Sequence, residues 1–146
     1  MSHPIPYKWI PKNRDKYIGD LSDIWVRSSW EKKAMVFFDA TPSILKWSSE
    51  ELVIPYISPV DGKPHRYFVD FVVEYMTKQG ERKKALVEVK PKMQCKPPVK
   101  KSKVTKRYIQ ETVTYMTNEA KWAAAKDWCS KRGYVWMILT EDDLGV

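Results

Sequence analysis

The chain has 146 residues, a net charge of +8 and a pI near 9.4, which suits one domain with an anionic partner. Seven Trp and eight Tyr argue against wholesale disorder, and no apolar run approaches the roughly 20 residues of a membrane span. Two cysteines (Cys95, Cys129) and two histidines (His3, His65) are too few and too scattered for a zinc site.

Residues 1–26 read as a basic arm, MSHPIPYKWI onward, without a signal-peptide core. Pro4, Pro6 and Pro11 discourage helix there. The arm is expected to drape over the domain, pinned by Trp9, Tyr17 and Trp25, or else to reach DNA or a protein partner. Residues 27–146 form the expected domain. Its first helix begins at Ser28, where Ser28 and Glu31 have the spacing of a capping box. Trp30, Ala34, Phe37 and Phe38 give this helix an apolar side, and Thr41-Pro42 ends it. Glu31 is explained by the cap alone, although its carboxylate could also lean toward a neighbouring site.

Ile44, Leu45 and Trp47 lead into an expected strand from Leu52 to Ile57, and Asp61-Gly62 marks a hairpin turn. A strand from Arg66 to Tyr75 follows, with Tyr67, Val69, Phe71 and Val73 on one face and Asp70 on the other. After the turn from Thr77 to Glu81, a third strand ends in Glu88-Val89-Lys90. Alternation puts Glu88 and Lys90 on one face. A hairpin that sets Asp70 beside Glu88 makes a carboxylate pair with an ammonium next to it. Such oxygen donors suit Mg²⁺, with Mn²⁺ as a substitute, and the lysine can hold water or neutralise phosphate charge. A buried salt bridge from Asp70 to Lys90 would account for the same residues without any reaction.

Beyond Pro91 the chain carries Lys92, Lys96, Lys100, Lys101, Lys103, Lys106 and Arg107 with no acid among them. A charge run is usually a solvated loop. This one leaves directly from Lys90, so it is placed to hold a DNA backbone, together with Arg27 and Arg66. Two helices are expected next, Thr105–Met116 and Glu119–Arg132, separated by Asn118 as a cap and stopped by Gly133. Tyr134–Leu139 reads as a buried strand, and EDDLGV as a solvated acidic end in which Asp142 and Asp143 have no partner. The order is αβββαβ, an α/β fold with a central mixed sheet flanked by helices.

That order, with Asp on the second strand and Glu-x-Lys on the third, resembles the PD-(D/E)xK restriction-endonuclease-like superfamily. The stretches RSSWE (Arg27–Glu31), VIPYISPVDGKPHRYFVDF (Val53–Phe71), LVEVKP (Leu86–Pro91) and KWAAAKDWC (Lys121–Cys129) resemble, in order, the head-completion nucleases of tailed phages. That family is similar in turn to the endonuclease subunit of certain cut-and-paste transposases. The resemblance spans roughly residues 25–143. It implies a restriction-endonuclease-like core and a Mg²⁺-dependent endonuclease acting on double-stranded DNA. The implied catalytic residues are Glu31, Asp70, Glu88 and Lys90, with Asp70, Glu88, the Val89 carbonyl and Glu31 around the metal. It further implies phage head or neck proteins as partners, and a setting in the host cytoplasm during assembly or on the virion. Val69 stands where the superfamily signature usually has proline, which shapes the strand and carries no chemistry. The rival classes are a catalytically idle virion or DNA-end-binding protein, and a transposase- or resolvase-type nuclease subunit.

Overall fold

The computed structural model describes residues 5–146. The described part of the arm packs on the domain. Strand β1 (Tyr7–Lys8) pairs antiparallel with β2 (Trp25–Val26). Pro11, Tyr17, Ile24 and Val26 are buried, and Trp9 packs against the same core. Helix α1 (Ser29–Ala40) is capped by Ser28, whose hydroxyl accepts the Glu31 amide at 3.1 Å. Its C-terminal end is closed by the arm. Lys16 Nζ donates to the carbonyls of Phe38, Asp39 and Thr41 at 2.7, 3.0 and 2.9 Å. The last carbonyls of a helix have no partner within it, and a cation there also complements the helix dipole.

Strand β3 (Ile44–Ser49) is followed by β4 (Val53–Ile57), β5 (Pro64–Phe68), β6 (Phe71–Met76) and β7 (Arg82–Val89). Helix α2 (Lys106–Arg132), β8 (Val135–Leu139) and the short α3 (Glu141–Leu144) complete the chain. The central sheet is mixed, in the order β3-β6-β7-β8, with β7 and β8 parallel and the other pairs antiparallel. A separate hairpin, β4-β5, is inserted between β3 and β6. One core, with Met35, Phe38, Trp47, Phe71 and Val87, lies on the α1 side. The other, with Ile54, Tyr67, Val69, Leu86 and Trp122, lies on the α2 side. Among the described residues no helix is long and apolar enough to cross a membrane.

Four expectations are corrected. The segment from Ile44 is the edge strand of the central sheet, whereas Val53–Ile57 belongs to the hairpin. Its polar Ser48 and Ser49 are buried, and the Tyr17 hydroxyl satisfies the Ser49 backbone, so alternation gave no strand signal there. The single strand expected from Arg66 to Tyr75 is broken at Val69-Asp70. Val69 N–H donates to Leu52 while Glu50 N–H donates to Asp70, which ties the break to the β3–β4 link. The break changes faces: Tyr67 and Val69 join the α2-side core, and Phe71 and Val73 the α1-side core. A shift of one residue reverses every side chain that follows it.

The two expected helices are one. Asn118 lies inside α2 and is buried, and Trp122, Ala125 and Cys129 anchor the same face. The Thr112 and Thr117 hydroxyls return to the carbonyls of Tyr108 and Val113, so polar residues that resemble a cap are accommodated mid-helix. The acidic end is also fastened. Thr140 and Asp143 form a capping box, Glu141 accepts the Lys92 amide at 2.7 Å, and Asp142 pairs with the Lys92 ammonium.

Candidate active site

The break before β6 makes the site. The β6–β7 ladder ends at Phe71↔Val87, and the amide two residues further along β7, that of Val89, is taken by the Asp70 carboxylate at 2.8 Å. Asp70 is thereby fixed at the mouth of the sheet beside Glu88 and Lys90. Glu88 is 6% exposed. Its Oε1 lies 3.7 Å from Lys90 Nζ, and its Oε2 accepts a hydrogen bond from the Tyr67 hydroxyl. Lys90 is held by its own amide, which donates to Leu139 at 3.0 Å. Glu31 comes from the first turn of α1. Glu31 lines a pocket of about 190 Å³ together with Arg27, Asp70, Glu88, Val89, Lys90 and Gln94.

The pocket is short of positive charge. Burial pushes the Glu31 carboxyl up to about 7, and Glu50 and Glu88 add to this while Arg27 opposes it. Burial first, then the charges of Glu88 and Glu31, hold Asp70 well above the usual carboxylate range despite the Val89 amide and Lys90. Burial also raises Glu88, against the pull of Tyr67, Lys90 and Lys121. Tyr67 is raised in turn, by burial and by Glu88, so it stays a hydroxyl donor. Acids that burial holds above their usual range call for a cation.

The donors fit a hard divalent ion, since all are oxygens. Among the described residues no three or more His, Cys, Asp or Glu side chains are grouped so as to hold a metal ion. Mg²⁺ is ordinarily bound by one or two carboxylates and keeps several waters, so the fit rests on the Asp70–Glu88 pair, with Val89 lining the same pocket.

Of the residues assigned to DNA, only Arg27 lines this pocket, and it is engaged by Glu50 through two hydrogen bonds of 2.8 and 3.2 Å. Lys92 pairs with Asp142, and Arg107 with Glu111 one turn along the helix. Arg66 lies on the hairpin, its guanidinium 5.4 Å from the Phe68 ring centroid. Lys96, Lys100, Lys101, Lys103 and Lys106 are exposed and make no salt bridge among the described residues.

Sequence reasoning missed Tyr67, Lys121, Gln94 and Glu50. The Lys121 ammonium lies 5.9 Å from the ring centroids of both Tyr67 and Tyr56. Glu50 has φ of 54°, a conformation uncommon outside glycine and sustained by its neighbours: its amide donates to Asp70 O and its carboxylate grips Arg27. Nothing in Ser49-Glu50-Glu51 signals this. Tyr67 could be read as buried, but its approach to Glu88 depends on the break that alternation does not show.

The family model described as TnsA-like endonuclease N terminal matches residues 41–141, a span that contains Asp70, Glu88 and Lys90 and begins after Glu31. The chain is 42% identical over 141 residues to the head completion nuclease of Enterobacteria phage T4, covering 94% of this chain and 91% of that protein. No solved structure matches. With the model covering most of the domain and a relative aligned over nearly its whole length, the chain belongs to the TnsA-like endonuclease family.

Proposed function

We propose that the chain is a Mg²⁺-dependent endonuclease of PD-(D/E)xK type that hydrolyses DNA phosphodiester bonds during phage head completion. The observation that carries this reading is the grouping of three acids, each raised chiefly by burial, beside one partly buried ammonium in a single pocket. Asp70, Glu88 and the Val89 carbonyl would hold the ion, with Glu31 acting at the distance of a water. When bound, Mg²⁺, or Mn²⁺ in its place, supplies Lewis acidity toward phosphate and water. Lys90 orients the attacking water and stabilises charge that develops on the phosphate. Glu31 accepts a hydrogen bond from the water, and Arg27 meets a neighbouring phosphate by exchanging Glu50 for it.

The exposed lysines from Lys96 to Lys106 track the DNA backbone. Such contacts position the duplex and do not read its bases, so sequence preference is low. Action in the host cytoplasm during assembly, on DNA held by head or neck proteins, belongs to the same proposal. The test is cleavage of supercoiled plasmid with Mg²⁺, with EDTA, and with Asp70→Asn. Nicking by the wild type alone, and only with Mg²⁺, is expected. Equal nicking by wild type and variant would mark a contaminant and refute the reading. Cleavage confined to branched DNA, or dependent on an added protein, would favour a resolvase-like or partner-dependent subunit.

A further inference from the structure

The hairpin β4-β5 adds no strand to the central sheet, yet it delivers one buried hydroxyl to the candidate centre. Tyr67 is 4% exposed and packs in the α2-side core with Ile54, Leu86 and Trp122. Its hydroxyl donates to one oxygen of Glu88, while the other oxygen faces Lys90. A glutamate has three rotatable bonds, and a carboxylate free to rotate presents either oxygen. We propose that Tyr67 is a positioning residue: by holding Glu88 Oε2 from the α2 side it leaves Oε1 as the single oxygen aimed at a divalent ion. The proposal rests on the metal-centred reading above.

Lys121 extends the arrangement into α2. Its ammonium stands near the rings of Tyr67 and Tyr56, so the chain of contacts runs Lys121, Tyr67, Glu88. Groups that orient a metal ligand without touching the ion are commonly worth 10–100-fold in metal affinity or activity. A purely structural role would predict something different. The hydroxyl would then satisfy a buried acid and influence stability alone.

The experiment compares full-length wild type, Tyr67→Phe and Tyr115→Phe by calorimetric titration with Mn²⁺, alongside melting temperature in EDTA. Tyr115 is the control, since its hydroxyl makes the same kind of bond to Glu119 on the surface of α2, away from the pocket. Tyr67→Phe is expected to weaken Mn²⁺ binding about 10–100-fold. Metal half-saturation of cleavage should rise by the same factor, with most of kcat recovered at saturating metal. Tyr115→Phe is expected to change neither. Unchanged Mn²⁺ affinity in a folded Tyr67→Phe protein, with only its melting temperature altered, would overturn the role of Tyr67 and leave the metal-centred reading intact. No binding by the wild type would overturn that reading first, and the positioning role with it.

Discussion

Replacing Glu31 with glutamine should stabilise the metal-free protein while impairing it as a nuclease. The Glu31 carboxyl is pushed up from 4.5 to about 7. Below pH about 4 both folded and unfolded chains hold this proton, and the group contributes no difference. Between about 4.5 and 7 the folded state retains a proton that the unfolded state has released, so stability falls as pH rises. Above about 7 the loss is complete and constant. At about 1.4 kcal/mol per unit the upper bound is about 3.5 kcal/mol. The carboxyl is partly exposed, and solvent screening reduces this to roughly 1.5 kcal/mol. For a domain of this size that is about 3–6 °C in melting temperature. Glutamine keeps the shape and an acceptor oxygen and removes the charge. Melting curves in EDTA should therefore coincide at pH 4 and separate by pH 8, with Glu31→Gln the more stable. A variant equal to or less stable than wild type at pH 8 would refute the electrostatic account of the pocket.

Three further outcomes follow from the same geometry. Lys90→Met should lower cleavage at least about 100-fold, as loss of a preorganised charge does, while Mn²⁺ binding stays equal or tightens because a neighbouring cation is gone; weakened binding would contradict the role given to Lys90. Changing Lys100, Lys101 and Lys103 together to glutamine should reduce the log–log salt dependence of duplex binding by about 2–3, at roughly 0.9 for each phosphate that is no longer neutralised. An unchanged slope would mean that this loop is merely solvated. Lys16→Met removes the donor to three carbonyls at the end of α1 and should lower stability by about 1.5–2 kcal/mol in urea unfolding. A decrease under about 0.5 kcal/mol would show that water caps the helix as well as the arm does.

Which residues meet in the candidate site was more legible than the scaffold that brings them together. Glu88 and Lys90 share a face because strands alternate, and the pocket contains both. Asp70 was identified by its chemistry, although the strand around it is broken and its carboxylate replaces a ladder partner. Glu31 carried two local meanings. Only the resemblance to a known family favoured the pocket over the cap, and the two coexist: the Glu31 amide completes the Ser28 cap while the residue lines the pocket. What escaped depends on tertiary packing. Burial of Asn118, Trp122 and Ala125 carries α2 through a segment whose local chemistry reads as a cap. Tyr67 reaches Glu88 through a change of face that no periodicity announces. The pairing of Lys92 with Asp142 joins two stretches, far apart in the chain, that each look solvated alone.

The central claim is that Asp70 and Glu88 share one divalent ion at the open end of the β6–β7 pair. Crystals soaked in Mn²⁺ and measured at the manganese absorption edge test this without reference to turnover. The account predicts one anomalous peak in contact with both carboxylates and the Val89 carbonyl, absent from Asp70→Asn crystals. A well-occupied peak elsewhere with this pocket bare, or the two carboxylates bridged only by Lys90, would contradict it.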